Sequence, residues 1–262
     1  MSGFSLEQDL DLAERAARAA GAALMRRFRA PAVGVDHKST ETDPVSEADR
    51  EAERLIEEML VAERPGDGLL AEEGASADAE AGRRWVVDPL DGTVNYLYGH
   101  AAWCVSIALE DAEGAALGVV HDPARAETFR ALRGRGADLN GAPVRVSSCE
   151  RPELALVATG FGYAAERRAS QAQALASILP RVRDIRRAGS AALDLAWVAC
   201  GRLDGYYERG LQPWDWAAGR LLVEEAGGIT FPLEGEPAGL LAAGPALAEP
   251  LAAIVAAGST RP

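Results

Sequence analysis

Apolar residues across 6–28 recur near a 3.6-residue spacing and alternate with alanine, which predicts one long amphipathic helix. Residues 31–44 are rich in turn formers and predict a loop or hairpin. Ser46-Glu47-Ala48-Asp49 has the form of a capping box, so a second helix is expected from there to about Glu63. Pro65-Gly66-Asp67-Gly68 ends it. Residues 69–71 predict a short strand leading into Glu72-Glu73-Gly74. Residues 84–87 predict a buried strand, which Asp88-Pro89 should halt because proline has no N–H for a sheet ladder. The apolar runs 103–109, 115–121 and 127–132, parted by Gly, Asp and Pro turns, predict an antiparallel meander.

From about residue 149 strands and helices alternate. Strands are expected at 154–159, 182–185, 204–207, 229–231 and 239–242, and helices at 166–179, 190–200, 213–226 and 246–256. Pro213 opens the third of these helices and Gly227-Gly228 lies past its end, the usual asymmetry of helix termini. There is no internal repeat and no long linker. Two lobes are expected, an α+β lobe over residues 1–148 and an α/β lobe over 149–262.

Composition narrows the partners. Of 262 residues, 48% are apolar and 26% charged, a globular balance. Lys+Arg number 27 against Asp+Glu 40, a net charge of −13. That acidity argues against a nucleic-acid partner, because a phosphate backbone needs clustered positive charge. Small phosphorylated substrates remain open, since a divalent cation reverses the local sign. Three cysteines without a CxxC, and no N-terminal basic and apolar leader, point to a reducing cytoplasm. The three histidines lack HxxxH spacing, which argues against a zinc site. The apolar stretch 239–258 holds Pro245, Glu249 and Pro250, so no membrane span is expected. Lys38 is the only lysine, and Asn95 and Asn140 are the only asparagines. Residue types that survive so strong a bias toward Arg and Ala mark Lys38 and Asn95 as candidates for chemical need.

The informative segment is Trp85-Val86-Val87-Asp88-Pro89-Leu90-Asp91-Gly92-Thr93-Val94-Asn95-Tyr96. Asp91 lies three residues past Asp88, so both carboxylates can face one pocket with the Leu90 carbonyl between them. Hard, closely spaced oxygens suit Mg²⁺ or Mn²⁺. Gly92 and Thr93 can present backbone N–H groups at a helix start, where an anion is favoured. Asp-Pro and Asp-Gly are also ordinary turn formers. The whole string after an apolar strand nevertheless points to phosphate-ester chemistry.

The string resembles the first signature of the inositol monophosphatase family, lithium-sensitive Mg²⁺-dependent phosphatases. Pro213-Trp214-Asp215-Trp216-Ala217-Ala218-Gly219 is similar to the second signature. Lys38-Ser39 through Asp43-Pro44-Val45-Ser46-Glu47-Ala48-Asp49, then Glu72-Glu73-Gly74, then Gly189-Ser190-Ala191-Ala192 also match in order and spacing. The resemblance implies a layered αβαβα sandwich of the sugar-phosphatase type. The first lobe would carry most metal ligands; the second would complete the site with Asp215 and substrate contacts.

Residue by residue, the resemblance implies that Glu72, Asp88, Asp91 and the Leu90 carbonyl ligate one metal. Asp88, Asp91 and Asp215 would ligate a second, and Glu72 would share a third, weaker ion. Mg²⁺ is expected, with Mn²⁺ as a substitute. Thr93 and Asp43 are expected to form a hydroxyl–carboxylate pair that, with Glu72, orients the attacking water. Gly92 and Thr93 would donate N–H bonds to phosphate, and Gly189, Ser190, Ala191 and Glu208 would contact the alcohol portion, with Asp215 beside it. Asp49 is expected to serve only as a helix cap, and Lys38 to lie near the acidic site. Three departures from the family pattern, Ala71 before the Glu pair, Ser46 for Thr and Pro213 before Trp214, remove no ligand. The activity implied is hydrolysis of myo-inositol monophosphate by a cytoplasmic homodimer.

Three other readings are possible. Gly160-Phe161-Gly162-Tyr163-Ala164-Ala165 after a strand is a weak dinucleotide-binding pattern, while a P-loop fails because His37 stands before Lys38-Ser39. Arg181, Arg183, Arg186 and Arg187 form a basic cluster that suits contact with the transcription machinery, a role of some bacterial relatives. Related phosphatases act on fructose 1,6-bisphosphate, 3′-phosphoadenosine 5′-phosphate or histidinol phosphate; Asn95-Tyr96 and residues 103–109 favour the inositol branch.

Overall fold

The computed structural model describes residues 5–30, 34–37, 44–77, 79 and 82–259. Lys38 and Asp43 lie outside the described residues. Helix α1 (Leu6–Arg27) starts at a reciprocal capping box between Ser5 and Gln8. Its stripe of Leu12, Ala13, Ala16, Ala17, Ala20 and Leu24 is buried. A two-residue ribbon, β1 (Asp36–His37) with β2 (Pro44–Val45), precedes α2 (Glu47–Glu63), which Ser46 caps.

The large sheet contains β3 (Gly68–Ala71), β4 (Ser76–Ala77), β5 (Arg84–Asp91), β6 (Cys104–Asp111), β7 (Gly114–Asp122), β8 (Glu127–Leu132), β9 (Gly136–Leu139) and β10 (Ala142–Pro143). Helix α3 (Thr93–Leu97) joins β5 to β6. The strand order is β10-β9-β8-β7-β6-β5-β3-β4, antiparallel except where β3 and β5 pair in parallel. The meander of β6, β7 and β8 was legible as three apolar runs; β4, β9 and β10 are too short and too mixed for that signal.

The second half supplies β11 (Leu156–Thr159), α4 (Ala165–Ile178), β12 (Asp184–Arg186), α5 (Ala191–Ala199), β13 (Gly205–Arg209), α6 (Pro213–Glu225), β14 (Ile229–Leu233), β15 (Gly239–Ala243) and α7 (Pro245–Ser259). Its sheet runs β12-β11-β13-β15-β14.

Alternation along the strands explains the layering. On the large sheet, Trp85, Val87, Val105, Ile107, Leu109, Leu117 and Val119 pack in one core with α1 and α2. Val86, Cys104, Ala108 and Val120 face the other way, into a core with α5 and α6. Both faces of these strands are covered, so both alternating sets are apolar. The small sheet closes the far side of α5 and α6, and its outer face is packed by α4 and α7 through Ile178, Leu247, Leu251 and Val255. The result is the αβαβα sandwich. Strand β7 and helix α6 approach closely, and a Cβ on Gly118 would lie 2.8 Å from the Ala218 carbonyl oxygen.

One expectation is corrected here. Pro89 does not halt the strand: β5 continues to Asp91, and its pairing with β6 shifts register between Asp88 and Asp91. Proline is tolerated at a bulge because the ladder is already interrupted there.

Candidate active site

At that bulge the fold opens a cavity of about 370 Å³, whose lining includes Glu72, Asp88, Asp91 and Asp215. Each acid arrives on a different support. Glu72 follows β3, with its N–H 3.2 Å from the Val87 carbonyl. The turn after it is pinned by Glu53 of α2, which accepts the N–H groups of Glu73 (2.7 Å) and Ala75 (3.0 Å). Asp88 and Asp91 straddle the bulge, and the Leu90 N–H bonds Asp88 Oδ1 at 3.0 Å. Asp215 sits in the first turn of α6, where its Oδ2 accepts the Gln212 N–H at 2.7 Å.

Asp91 Oδ2 accepts the Ser190 hydroxyl at 2.6 Å and the Ala192 N–H at 2.7 Å. One oxygen of Asp91 is therefore held by the start of α5, where the helix dipole favours negative charge. Ser190 is 2% exposed and also accepts the Leu193 N–H at 3.3 Å, as the helix cap. The Ser190 hydroxyl, expected to meet the substrate, is engaged here with Asp91 and with the start of the helix. Gly189, Ala191 and Glu208 do line the cavity. Asn95, singled out by its rarity, ties α3 to that loop by donating to the carbonyls of Ala102 (2.7 Å) and Ala188 (2.8 Å).

Gly92 turns the chain from β5 into α3 at φ 96°, and a Cβ there would meet the Ala102 carbonyl oxygen at 2.8 Å. Only glycine fits both demands. Thr93 follows, 7% exposed, with Oγ1 3.0 Å from Asp49 Oδ1 and 3.1 Å from the Leu90 carbonyl oxygen. Among the described residues the carboxylate partner of Thr93 is Asp49, and the expected partner Asp43 lies outside them. Asp49 is a cap as well: its Oδ2 accepts the Ser46 N–H (2.9 Å) and hydroxyl (2.5 Å). The available signal was residue type, since a capping box usually takes Glu or Gln at this position.

The acids repel one another in a poorly hydrated place. Burial, then the charges of Glu72, Asp91 and Asp215, push Asp88 well above the usual carboxylate range. Burial pushes Asp91 up to about 6 against the bonds from Ser190 and Ala192. Burial and then Asp91 push Asp215 well up. Among the described residues Asp88, Asp91 and Asp215 form no ion pair, and no three His, Cys, Asp or Glu side chains are drawn tightly enough to enclose an ion as they stand. Oxygen-only donors buried against each other's charge are the chemistry a hard divalent cation relieves. The donor set fits such an ion.

The glycines of the pattern at 160–165 have a different use in this structure. Gly160 and Gly162 give clearance to the Glu208 carboxylate and to Arg167, which a Cβ at either position would strike. The basic cluster is also partly spent: Arg186 pairs with Asp184 at 2.6 Å, and Arg183 bonds the Leu154 carbonyl at 2.8 Å.

The sequence profile of the inositol monophosphatase family matches residues 5–259. An inositol-1-monophosphatase of Mycobacterium bovis is 42% identical over 259 residues, covering 90% of this chain and 89% of that protein. A Nus factor SuhB of Salmonella typhimurium is 41% identical over 229 residues, covering 86% and 85%. The crystal structure of the extragenic suppressor protein suhB of Bartonella henselae superposes with a TM-score of 0.89 at 38% identity, over 95% of this chain and 98% of that one.

Proposed function

The chain belongs to the inositol monophosphatase family and is a phosphoric monoester hydrolase; from that premise we propose that it releases phosphate from a small phosphorylated polyol, myo-inositol monophosphate first, with Mg²⁺ as cofactor. The observation that carries the reading is the gathering of Glu72, Asp88, Asp91 and Asp215 at one cavity with the Gly92–Thr93 turn.

Glu72, Asp88, Asp91, Asp215 and the Leu90 carbonyl would hold Mg²⁺, which supplies charge for the phosphate dianion and makes a bound water more acidic. Thr93 and Asp49 orient the attacking water. With its proton directed to Asp49 Oδ1, the Thr93 hydroxyl keeps lone pairs free to accept a proton from the water. The water oxygen attacks phosphorus and its proton passes by way of the Thr93 hydroxyl toward Asp49, the P–O bond to the alcohol breaks, and the leaving alcohol oxygen takes a proton from solvent water. N–H groups at the start of α3 hold the phosphate oxygens, and Gly189, Ala191 and Glu208 meet the hydroxyl groups of the polyol.

A cytoplasmic setting belongs to the reading, supported by cysteines that form no disulfide. So does a homodimer, which sedimentation tests. No helix among the described residues is long and apolar enough to cross a membrane. The likeness to a Nus factor SuhB favours, as a second reading, a binding role with the transcription machinery.

The test is phosphate release from myo-inositol 1-phosphate by the purified protein. Release should stop in excess chelator, return with Mg²⁺ and weaken with Li⁺. Undiminished release in chelator would overturn the metal-dependent reading.

A further inference from the structure

Two segments from the two halves of the chain meet at the cavity. Gly92 and Thr93 line it from the segment 91–95, and Gly189 and Ala191 line it from the segment 188–192. The segments are clipped together at both ends. At one end Asp91 Oδ2 accepts the Ser190 hydroxyl and the Ala192 N–H. At the other, Asn95 Nδ2 donates to the Ala188 carbonyl at 2.8 Å, across 93 positions of sequence. Chain and hydrogen bonds thus close a ring, from Asp91 along to Asn95, over to Ala188, along to Ser190 and back to Asp91. Gly92, Thr93 and Gly189 lie within that ring, and Ala191 lies next to it.

The Asn95 amide ties in a third segment. It also donates to the Ala102 carbonyl at 2.7 Å, the same oxygen that a Cβ on Gly92 would meet at 2.8 Å. That carbonyl therefore lies against the Gly92 turn, two residues before Cys104, which pairs with Asp91 in the sheet. Both acceptors are carbonyl oxygens, so the group between them must offer two N–H donors; an amide does, and a carboxylate does not. Gly189 keeps the approach open: its φ is 97°, and a Cβ there would lie 2.9 Å from Asn95 Nδ2. Asparagine stands only at 95 and 140 in this chain. Asn140, at φ 51°, accepts the Thr128 N–H at 2.9 Å and donates to the Ala126 carbonyl at 3.1 Å, but it does not line the cavity.

We propose that Asn95 is a positioning residue for the hydrolysis: by fastening the 188–192 segment to α3, it sets the spacing between the turn that takes the phosphate and the residues that meet the polyol, and it keeps Ser190 and Ala192 on Asp91. The proposal rests on the phosphatase reading above. Asn95 is not among the cavity-lining residues, so it acts through others. A rigid, ring-shaped alcohol needs both segments at one separation, whereas a small flexible alcohol adapts to a wider one. Loosening the clip therefore penalises a ring ester more than a flexible one. A misplacement of about 1 Å can cost about a hundredfold in rate.

The test compares Mg²⁺-loaded wild type, Asn95→Asp, Asn95→Ala and Asn140→Ala on myo-inositol 1-phosphate and glycerol 2-phosphate. Asp has nearly the volume of Asn and lacks both donors; the Ala variant serves if a carboxylate facing two carbonyls prevents folding. Each hydrogen bond lost is worth about two- to tenfold in an equilibrium. The ratio of kcat/KM for the inositol ester over the glycerol ester should fall at least about fivefold in the Asn95 variants, chiefly through a higher KM for the inositol ester. Asn140→Ala should lower Tm and leave the ratio at the wild-type value. Asn95 variants that lower Tm and keep the wild-type ratio would overturn the proposal, because the bonds would then serve stability alone. Mg²⁺ affinity from titration calorimetry separates this failure from failure of the phosphatase reading. If the wild type hydrolyses neither ester, Mg²⁺ binding that is weaker by about threefold or more in the Asn95 variants than in wild type and Asn140→Ala keeps the positioning role and removes the phosphatase reading. Binding that is equal in all four proteins, or absent from all four, removes the positioning role.

Discussion

Thr93 Oγ1 lies 3.0 Å from Asp49 Oδ1, across 44 positions of sequence. Asp49 divides its oxygens, Oδ2 to the start of α2 and Oδ1 to Thr93. The same division recurs at Asp91 and Asp215, each with Oδ2 on a helix N-terminus. In each case a helix start orients the acid, and the acid's other oxygen is left for the site.

Thr93 and Asp49 should therefore act as one unit. Thr93→Ala is expected to lower kcat about a hundredfold, as for other groups that position a proton in the transition state. It should leave Mg²⁺ affinity nearly unchanged, and Thr93→Ser should retain much of the activity. Asp49→Asn should match the Thr93→Ala loss, because one amide oxygen cannot serve both Thr93 and Ser46. Kinetics of the double variant check the unit: a loss no larger than either single confirms it, and multiplied losses refute it.

Asp91→Asn and Asp215→Asn should each lose most of kcat while the protein stays folded. Removing one buried like charge relieves the repulsion that pushes the remaining acids upward. The metal-free variants should melt no earlier than metal-free wild type, and Mg²⁺ should raise their Tm less. At a hundredfold excess over Kd, a ligand stabilises the protein that binds it by about 2.7 kcal/mol. Differential scanning calorimetry with and without Mg²⁺ decides this, and equal Mg²⁺ shifts in variant and wild type would contradict the ligand assignment.

Ser190→Ala should act through Asp91. Loss of the cap costs about 1 kcal/mol of stability. Loss of the 2.6 Å bond leaves Asp91 less firmly oriented, so Mg²⁺ activation should need a higher concentration. Activity titrations against Mg²⁺ measure this. A raised substrate KM with unchanged Mg²⁺ dependence would return Ser190 to a substrate-contact role.

His121 is 6% exposed beneath α1, its Nδ1 2.9 Å from Thr128 Oγ1. Burial first, then the Arg18 charge, lowers its pKa to about 4, with Glu14 acting weakly in the opposite sense. The folded protein thus holds the ring neutral at pH values where the unfolded chain, with a value near 6.5, binds a proton. The resulting stability is fully present above pH 6.5 and is lost as pH falls toward 4, by roughly 3 kcal/mol in all. Urea titrations at pH 7, 5.5 and 4 should show the decline, and His121→Gln should flatten it. The same slope in both proteins would refute the assignment.

Much was legible in the sequence because it depends on neighbours three or four residues apart. The capping boxes at Ser5 and Ser46, the proline-started α6 and the alternating strands of the meander are set by local hydrogen bonding and by side-chain period. The signature around Asp88 and Asp91 also survives translation into space, since both acids lie in one strand and its bulge. Pro89 was misjudged because its effect depends on whether a ladder bond is needed there, and the bulge removes that need.

What only the tertiary structure decided was the destination of each second oxygen. Asp43 and Asp49 present the same local chemistry, and only the packing of α2 against β5 brings Asp49 to Thr93. Ser190 was readable as a cap, but Asp91, 99 positions away, accepts the hydrogen bond of its hydroxyl only because α5 packs beneath the large sheet. Secondary structure follows from short-range patterns, whereas the site forms where helix ends from both halves meet a strand bulge. Those meetings are fixed by the burial of apolar faces far apart in the chain, and no local pattern encodes them.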